Sequence, residues 1–410
     1  MSSSPLFTPL TLPCASVLPS RLAKAAMEEG LGEPGQLPGE PIFQLYRRWA
    51  NGNIGLLITG NVMIDHRAMT GPGGIVLEQQ TDLEPFRRWA EAAKSNGGKV
   101  WMQINHPGRQ VYAAMGGNVW SPSDVPLNLG KHSKLFGQPS PMSDAQIVET
   151  IERFTATAVQ AEAAGFDGVQ IHAAHGYLIS QFLSPLTNRR SDQWGGTLEN
   201  RSRLLIEVIR AIRKHVSSEF AVAVKINSAD FQRGGFDEQD AKQVIEQLNQ
   251  EAVDLVELSG GSYESPAMQG RTADQRTLAR EAYFLEFARD IAKVATMPVM
   301  TTGGILHRST AEEVLEKGID LVGLGTALAM TPDLPLRWQQ AEFTSSSPQV
   351  NWKDKTLNAL AVMALVRRQI HRLGAGKPAQ ASLSPFFTLI KDQWRSKQLT
   401  RRYRNWRQQI

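Results

Sequence analysis

Short apolar runs alternate with longer helix-patterned stretches along this chain, and that rhythm leaves few folds open. Eight runs qualify as strands: Leu22–Ala26, Ile54–Gly60, Lys99–Ile104, Asp167–His172, Ala221–Ile226, Val253–Ser259, Pro298–Thr302 and Leu321–Gly325. Helical periodicity falls between them, near 41–51, 81–96, 143–164, 198–215, 237–251, 281–295 and 309–317. The third of these opens on Ser143-Asp144-Ala145-Gln146, a capping-box pattern, and stops at Gly165. Parallel neighbours need a crossover between them, so this alternation predicts βα units. Eight units fit a closed (β/α)8 TIM barrel with insertions better than an open sheet.

The insertions are uneven. Segments 105–142, 173–196 and 260–280 are long, and each follows a strand, whereas the returns from helix to strand are short. That asymmetry predicts one working face, at the carboxyl ends of the strands. Residues 1–339 are expected to form the barrel. Residues 340–410 read as a basic helical extension, with TLNALAVMALVRRQIHRL amphipathic and seven Lys/Arg against one Asp in the last twenty residues. The plain expectation there is a solvated helix whose Trp394, Tyr403 and Trp406 pack on the body. The extension is also a candidate contact for a homo-oligomer.

Composition closes several function classes. A net charge of +4 over 410 residues is small, and no nucleic-acid motif accompanies the basic tail. No apolar run is long enough to span a bilayer. The opening MSSSPLFTPLTLP lacks the basic-then-apolar layout of a secretory signal, so a cytoplasmic protein is expected, with no nucleic-acid or membrane partner. Cys14 is the single cysteine, which excludes a disulfide within the chain, a Cys-ligated iron–sulfur cluster and a Cys-rich zinc site. No metal site is expected, and no Walker-type GxxxxGK[ST] is present.

The richest chemistry lies at Ile171–Arg203, IHAAHGYLISQFLSPLTNRRSDQWGGTLENRSR. It follows Gly168-Val169-Gln170-Ile171, which reads as a buried strand. His172, His175 and Tyr177 gather where that strand becomes a loop. Imidazoles donate hydrogen bonds to an oxygen that gains negative charge, and a phenol delivers a proton. Polar groups at such a place are costly unless they serve a site. Two later strand ends, Met300-Thr301-Thr302-Gly303-Gly304 and Val322-Gly323-Leu324-Gly325-Thr326, suit a phosphate cradle of bare backbone N–H groups, with Ser309 or Thr310 a possible cap for the following helix. A lone Gly-Gly would mean only a turn.

Together these segments resemble the Old Yellow Enzyme family, NAD(P)H:flavin oxidoreductases that bind FMN in a TIM barrel. HAAHGYLISQFLSPLTNRRSDQWGGTLENR matches the family's most specific stretch almost word for word. RLAKAAMEEG, GLLITGN, WMQINHPGR, VKINSADF and the two glycine ends extend the likeness over about residues 5–335. The resemblance implies reduction of activated C=C bonds in α,β-unsaturated carbonyl compounds by ping-pong hydride transfer, with NADH or NADPH as electron donor. It gives His172 and His175 the substrate oxygen and Tyr177 the proton. Gln103 would bond the pyrimidine edge of the flavin. Ala25, Ala26 and Met27 would lie beside the ring, with Gly60 and Asn61 closing another side. Gly303, Gly304, Gly325 and Thr326 would hold the phosphate.

Three positions depart from the family pattern. Lys225 stands where Arg is usual beside the flavin; it brings a point charge without a bidentate fork, and its structural alternative is an ion pair inside the barrel. Thr326 replaces a phosphate-side Arg, leaving that cradle to backbone amides. Glu28 occupies a flavin-side place that often holds Thr or Cys, and a carboxylate there would disfavour electron-rich flavin.

His106 reads as structural or as pocket rim. Asn188, Arg189, Arg190, Asp192, Trp194, Asn200 and Arg201 read as a buried polar network bracing the loop. Tyr263 could line the substrate pocket or pack at the surface.

Other functions remain open from sequence. The same flavin would reduce nitro compounds, nitrate esters or quinones, and a barrel could keep FMN for sensing. The dienoyl-CoA-reducing branch of the family is disfavoured by the single cysteine and the lack of a downstream GxGxxG.

Overall fold

The computed structural model describes residues 4–266, 281–282 and 284–410. The end of the third expected long loop, 267–280, lies outside them. Among the described residues eight parallel strands close on themselves: β1 (Leu22–Lys24), β2 (Leu56–Ile58), β3 (Lys99–Asn105), β4 (Gly168–Ala173), β5 (Ala221–Asn227), β6 (Leu255–Ser259), β7 (Val299–Thr301) and β8 (Leu321–Leu324). Each pairs with its neighbour in sequence, and β8 pairs with β1 through Val322↔Leu22 and Leu324↔Lys24. Closure pairs every barrel strand on both sides, and two short strands, Val62–Met63 and Ile75–Val76, extend the sheet from the end of β3. Five strands (β1, β2, β6, β7 and β8) are shorter than the apolar runs that predict them, because the flanking residues turn into loops; β4 keeps the predicted length one residue further on, and β3 and β5 each run one residue longer.

Strand alternation sorts side chains into two layers. Val100, Met102, Ile104, Val169, Ile171, Val222, Val224, Val256 and Leu258 point out and join the helices in the main core. Ala23, Leu56, Ile58, Trp101, Ala221, Ala223, Leu255, Met300 and Leu321 point in and pack with Leu10, Leu12 and Leu18. The last three belong to or flank an antiparallel hairpin, Leu10–Thr11 with Val17–Leu18, which therefore plugs the amino end of the barrel. Higher in the interior the inward row turns polar: Gln103, Gln170, His172, Lys225 and Glu257 are all buried there.

The helices follow the expected order: α1 (Glu40–Ala50), α2 (Glu84–Ala93), α3 (Asp144–Ala163), a short α4 (Leu178–Leu183), α5 (Leu198–His215), α6 (Glu238–Leu248), α7 (Leu285–Ala292) and α8 (Arg308–Glu316). The capping box forms: Ser143 accepts from Gln146 N–H while the Gln146 side chain accepts from Ser143 N–H. Gly165 follows at φ 85°, a conformation that favours glycine. The cap of α8 is His307, not Ser309 or Thr310, both of which lie inside the helix.

Beyond α9 (Thr326–Met330) and α10 (Leu334–Gln340) come α11 (Lys355–Gly374) and α12 (Pro385–Arg407). α11 packs on α1 and α9, and α12 packs on α11. α12 also reaches the loops after β1 and β2. Arg395 donates to Gly30 O (3.0 Å), Arg402 donates to Gly32 O, and Tyr403 Oη donates to His66 O at 2.6 Å. Tyr403 is fully buried and Trp406 is partly buried, as the plain expectation for the tail has it. Trp394 is not: it is 63% exposed.

Candidate active site

β4 carries His172 to the open end of the barrel, where it stands in register with Lys225 of β5. The chain then turns back at His175, held at φ 60°. Two bonds explain why a residue other than glycine tolerates this turn. His175 N–H donates to Asn227 Oδ1 at 3.1 Å, and its ring Nε2 meets Ser259 Oγ at 2.7 Å. The turn folds three rings together. His172 and His175 lie edge to face with centroids 5.0 Å apart, and His172 and Tyr177 do so at 4.8 Å.

Both imidazoles are held well below the usual histidine range, first by burial and then by the Lys225 charge. They are therefore neutral near pH 7. Ala174 N–H donates to His172 Nδ1 at 3.3 Å, so in the neutral ring the proton sits on Nε2. Burial pushes the Tyr177 phenol up, with the Glu28 carboxylate the second cause; bonds from Tyr263 and the Asn61 amide oppose it. Tyr177 thus keeps its proton.

Beneath the imidazoles runs a buried chain of polar groups. Gln103 Nε2 donates to Gln170 Oε1 (2.7 Å), Gln170 Nε2 to Glu257 Oε2 (2.8 Å), and Lys225 Nζ to Glu257 Oε1 (2.7 Å). Lys225 is therefore in the barrel-interior ion pair given above as its structural alternative, and its ammonium is fixed below His172.

The other predicted residues spread around this centre. Asn61 lies beside Tyr177 and keeps a buried Oδ1 with no partner among the described residues. A Cβ on Gly60 would lie 2.4 Å from Met27 O, so the loops after β1 and β2 touch there. Ala25 is buried; Ala26 and Met27 are partly so. Glu28 is exposed and accepts from Thr70 Oγ1 at 2.9 Å. Gly303 (φ 136°) and Gly304 (φ 69°) follow β7, and Gly325 and Thr326 follow the adjacent β8. A Cβ on Gly325 would meet only Met27 Sδ, at 3.9 Å, so that side of the backbone is open.

The bracing bonds form, but not as the buried network expected: Arg189 and Asp192 are exposed and Arg190 and Asn200 only half-buried. Asn188 Nδ2 spans Phe182 O and Trp194 O, Arg190 grips Asp192, Asn200 donates to Gly195 O, and Arg201 reaches Leu183 O and Asp240. His106 is 1% exposed, lies parallel to Trp120 at 6.3 Å, and is held down to about 4 by burial. That is a structural histidine. Sequence reading missed Gln170, Glu257, Ser259 and Asn227 as partners of the site. The first two carried a signal, since each is a lone polar residue at an inward position of an apolar strand.

Comparison with known proteins agrees with this geometry. The sequence model of the NADH:flavin oxidoreductase / NADH oxidase family matches residues 5–343. Among curated relatives, the NADH-dependent flavin oxidoreductase iliE of Hypocrea jecorina is 37% identical over 351 residues, covering 80% of this chain and 87% of that protein. The NADH-dependent flavin oxidoreductase nadA of Aspergillus parasiticus is 36% identical over 346 residues, covering 81% and 78%. The solved structure of the old yellow enzyme homologue from Zymomonas mobilis superposes with a TM-score of 0.71 at 26% identity, over 83% of this chain and 94% of that one. A closed barrel, the ring cluster at its mouth and a match along most of its length together make this chain a member of the NADH:flavin oxidoreductase / NADH oxidase family.

Proposed function

We propose that the protein reduces the activated C=C bond of α,β-unsaturated carbonyl compounds, using FMN and taking electrons from NADH or NADPH. The observation that carries this reading is the cluster of His172, His175 and Tyr177, two neutral imidazoles and a protonated phenol sharing one mouth of the barrel.

FMN, the family's cofactor, fits the residues present. The open side of Gly325 and the positive-φ Gly303 and Gly304 suit a phosphate held by backbone N–H groups. Thr326, first residue of α9, adds a hydroxyl. Gln103 and Asn61 offer amides toward the ring, Asn61 with a buried oxygen in need of a donor. Ala25, Ala26, Met27 and Gly60 keep that side small, while Lys225 sets a positive charge beneath and Glu28 a carboxylate at the rim. When bound, the flavin carries the electrons between nicotinamide and substrate.

The protein's own work is orientation and proton handling. His172 Nε2–H is free to donate to a substrate carbonyl oxygen. His175 does the same from Nδ1–H once the Ser259 hydroxyl donates to its Nε2. Fixed donors in a dry pocket stabilise charge as it grows on that oxygen without reorganising, and losing one typically lowers the rate about 10²–10³-fold. Tyr177 supplies the proton to carbon.

No helix among the described residues is long and apolar enough to cross a membrane. We read the protein as a cytoplasmic enzyme of small molecules, its barrel ending near residue 339 and its extension serving self-association.

The test is an anaerobic absorbance titration: NADH or NADPH should bleach the flavin, and a small enone should restore it. His172→Ala should slow the restoration about 10²–10³-fold. Restoration by a nitro compound or quinone but not by any enone would replace this reading with the nitroreductase or quinone reductase one.

A further inference from the structure

Tyr177 is paired. Tyr263, in the loop after β6, brings its hydroxyl to 3.1 Å from the Tyr177 hydroxyl, and the two rings meet edge to face at 6.0 Å and 73°. The contacts place Tyr177 between His172 on one side and Tyr263 on the other. Tyr177 is 6% exposed, whereas Tyr263 is partly exposed.

The Tyr263 loop is anchored on several sides. Glu264 takes an ion pair from Arg109, whose side chain is 4% exposed, and a bond from Asn128 N–H at 2.6 Å. Ser262 bridges His175 along the backbone and donates its N–H to Ser265 O at 2.9 Å. Phe136 packs against the Tyr263 ring, centroids 6.0 Å apart. The Ser262–Ser265 bond closes the loop on itself and the other anchors tie it to the β3 loop or to the histidine turn, so the second hydroxyl is held in register with the first.

We propose that Tyr263 is a positioning and relay residue: it hydrogen-bonds the Tyr177 oxygen as that group gives up its proton, then passes it a replacement from solvent. This rests on the reading of Tyr177 as proton donor. A phenol that ionises inside a pocket leaves an oxygen anion with little water to solvate it. A neutral O–H at 3.1 Å becomes a charge-assisted donor as the proton leaves, and such bonds are about twice as strong as neutral ones. The protons balance. The Tyr177 Oη–H bond breaks and a C–H bond forms on the substrate carbon, using that carbon's electron pair. The Tyr263 proton then moves to Tyr177 Oη, and water supplies one to Tyr263. One proton enters per double bond reduced, and no electron passes through either ring. The order follows from position: the Tyr177 ring lies against His172, and the Tyr263 hydroxyl meets the Tyr177 hydroxyl, while burial raises both phenols so that each holds its proton until its neighbour draws it.

The test compares two acceptors on the holoenzyme with NADH: cyclohexenone, which needs a proton on carbon, and ferricyanide, which takes electrons only. Tyr263→Phe keeps the ring and removes the hydroxyl. It should lower the ratio of enone to ferricyanide kcat roughly tenfold, leaving the enone KM in place. Tyr177→Phe should lower the ratio by about 10²–10⁴. The double variant should fall no further than Tyr177→Phe, since both act on one proton. NMR of carbon-labelled tyrosine should also show the Tyr177 Cζ resonance move in Tyr263→Phe. A ratio unchanged in Tyr263→Phe while Tyr177→Phe falls would overturn the relay alone, as would a double variant whose loss is the product of the two. A wild-type ratio in Tyr177→Phe would instead remove the acid assignment, and the relay with it.

Discussion

Lys225 and Glu257 meet where the barrel interior changes from apolar to polar, at 4% and 0% exposure. An ammonium and a carboxylate out of water are each costly, and their attraction offsets this only when the remaining lone pairs are used. Here they are: Glu257 takes Lys225 on one oxygen and the Gln170 amide on the other, and Gln170 takes Gln103. Burial, and after it the positive charge this pair fixes, keeps both site imidazoles neutral. Replacing Glu257 by Leu leaves the ammonium uncompensated and should cost about 3–5 kcal/mol in urea unfolding. Lys225→Met in the same chain should recover most of that loss. Recovery of stability without recovery of enone turnover would separate the charge's role in the site from its role in the fold.

At the scale of elements, the site depends on loops braced from several sides. α4 and α5 hold the histidine loop through Asn188 and Arg201, Arg190 grips Asp192 between them, and the legible motif is this brace as much as the ring trio. α11 and α12 brace the β1 loop, a role that amphipathic spacing alone did not reveal. His371 on α11 donates from Nε2 to Glu29 O at 2.8 Å, and burial followed by the nearby Arg395 holds it down to about 3. Its folded value lies below the unfolded one of about 6.5, so the unfolded chain binds the extra proton between those limits. The stability that depends on burying this imidazole uncharged is complete above about pH 6.5 and declines as pH falls toward about 3. Thermal melts across that range should show the decline, and His371→Gln should flatten it relative to wild type.

For the whole molecule, large exposed apolar side chains concentrate on the extension. Phe386, Phe387, Ile390 and Trp394 of α12 are 50–65% exposed, at helical spacing, and Leu357 and Leu360 of α11 are 46% and 40% exposed. Apolar side chains exposed at such spacing mark an interaction face. If that face joins two copies, Phe387→Ser with Trp394→Ser should shift sedimentation toward monomer while flavin content holds. The sequence by itself determined the strand order, the capping box of α3 and the trio at His172, His175 and Tyr177, because periodicity, that capping pattern and a strand-end motif are local properties of the chain. Only the tertiary structure decided that Lys225 pairs with Glu257, that Tyr263 meets Tyr177, and that Trp394 faces outward while Tyr403 faces inward. Those outcomes depend on which strands and loops become neighbours in a closed barrel, and contacts between residues 32 or 86 apart leave no periodic trace in sequence.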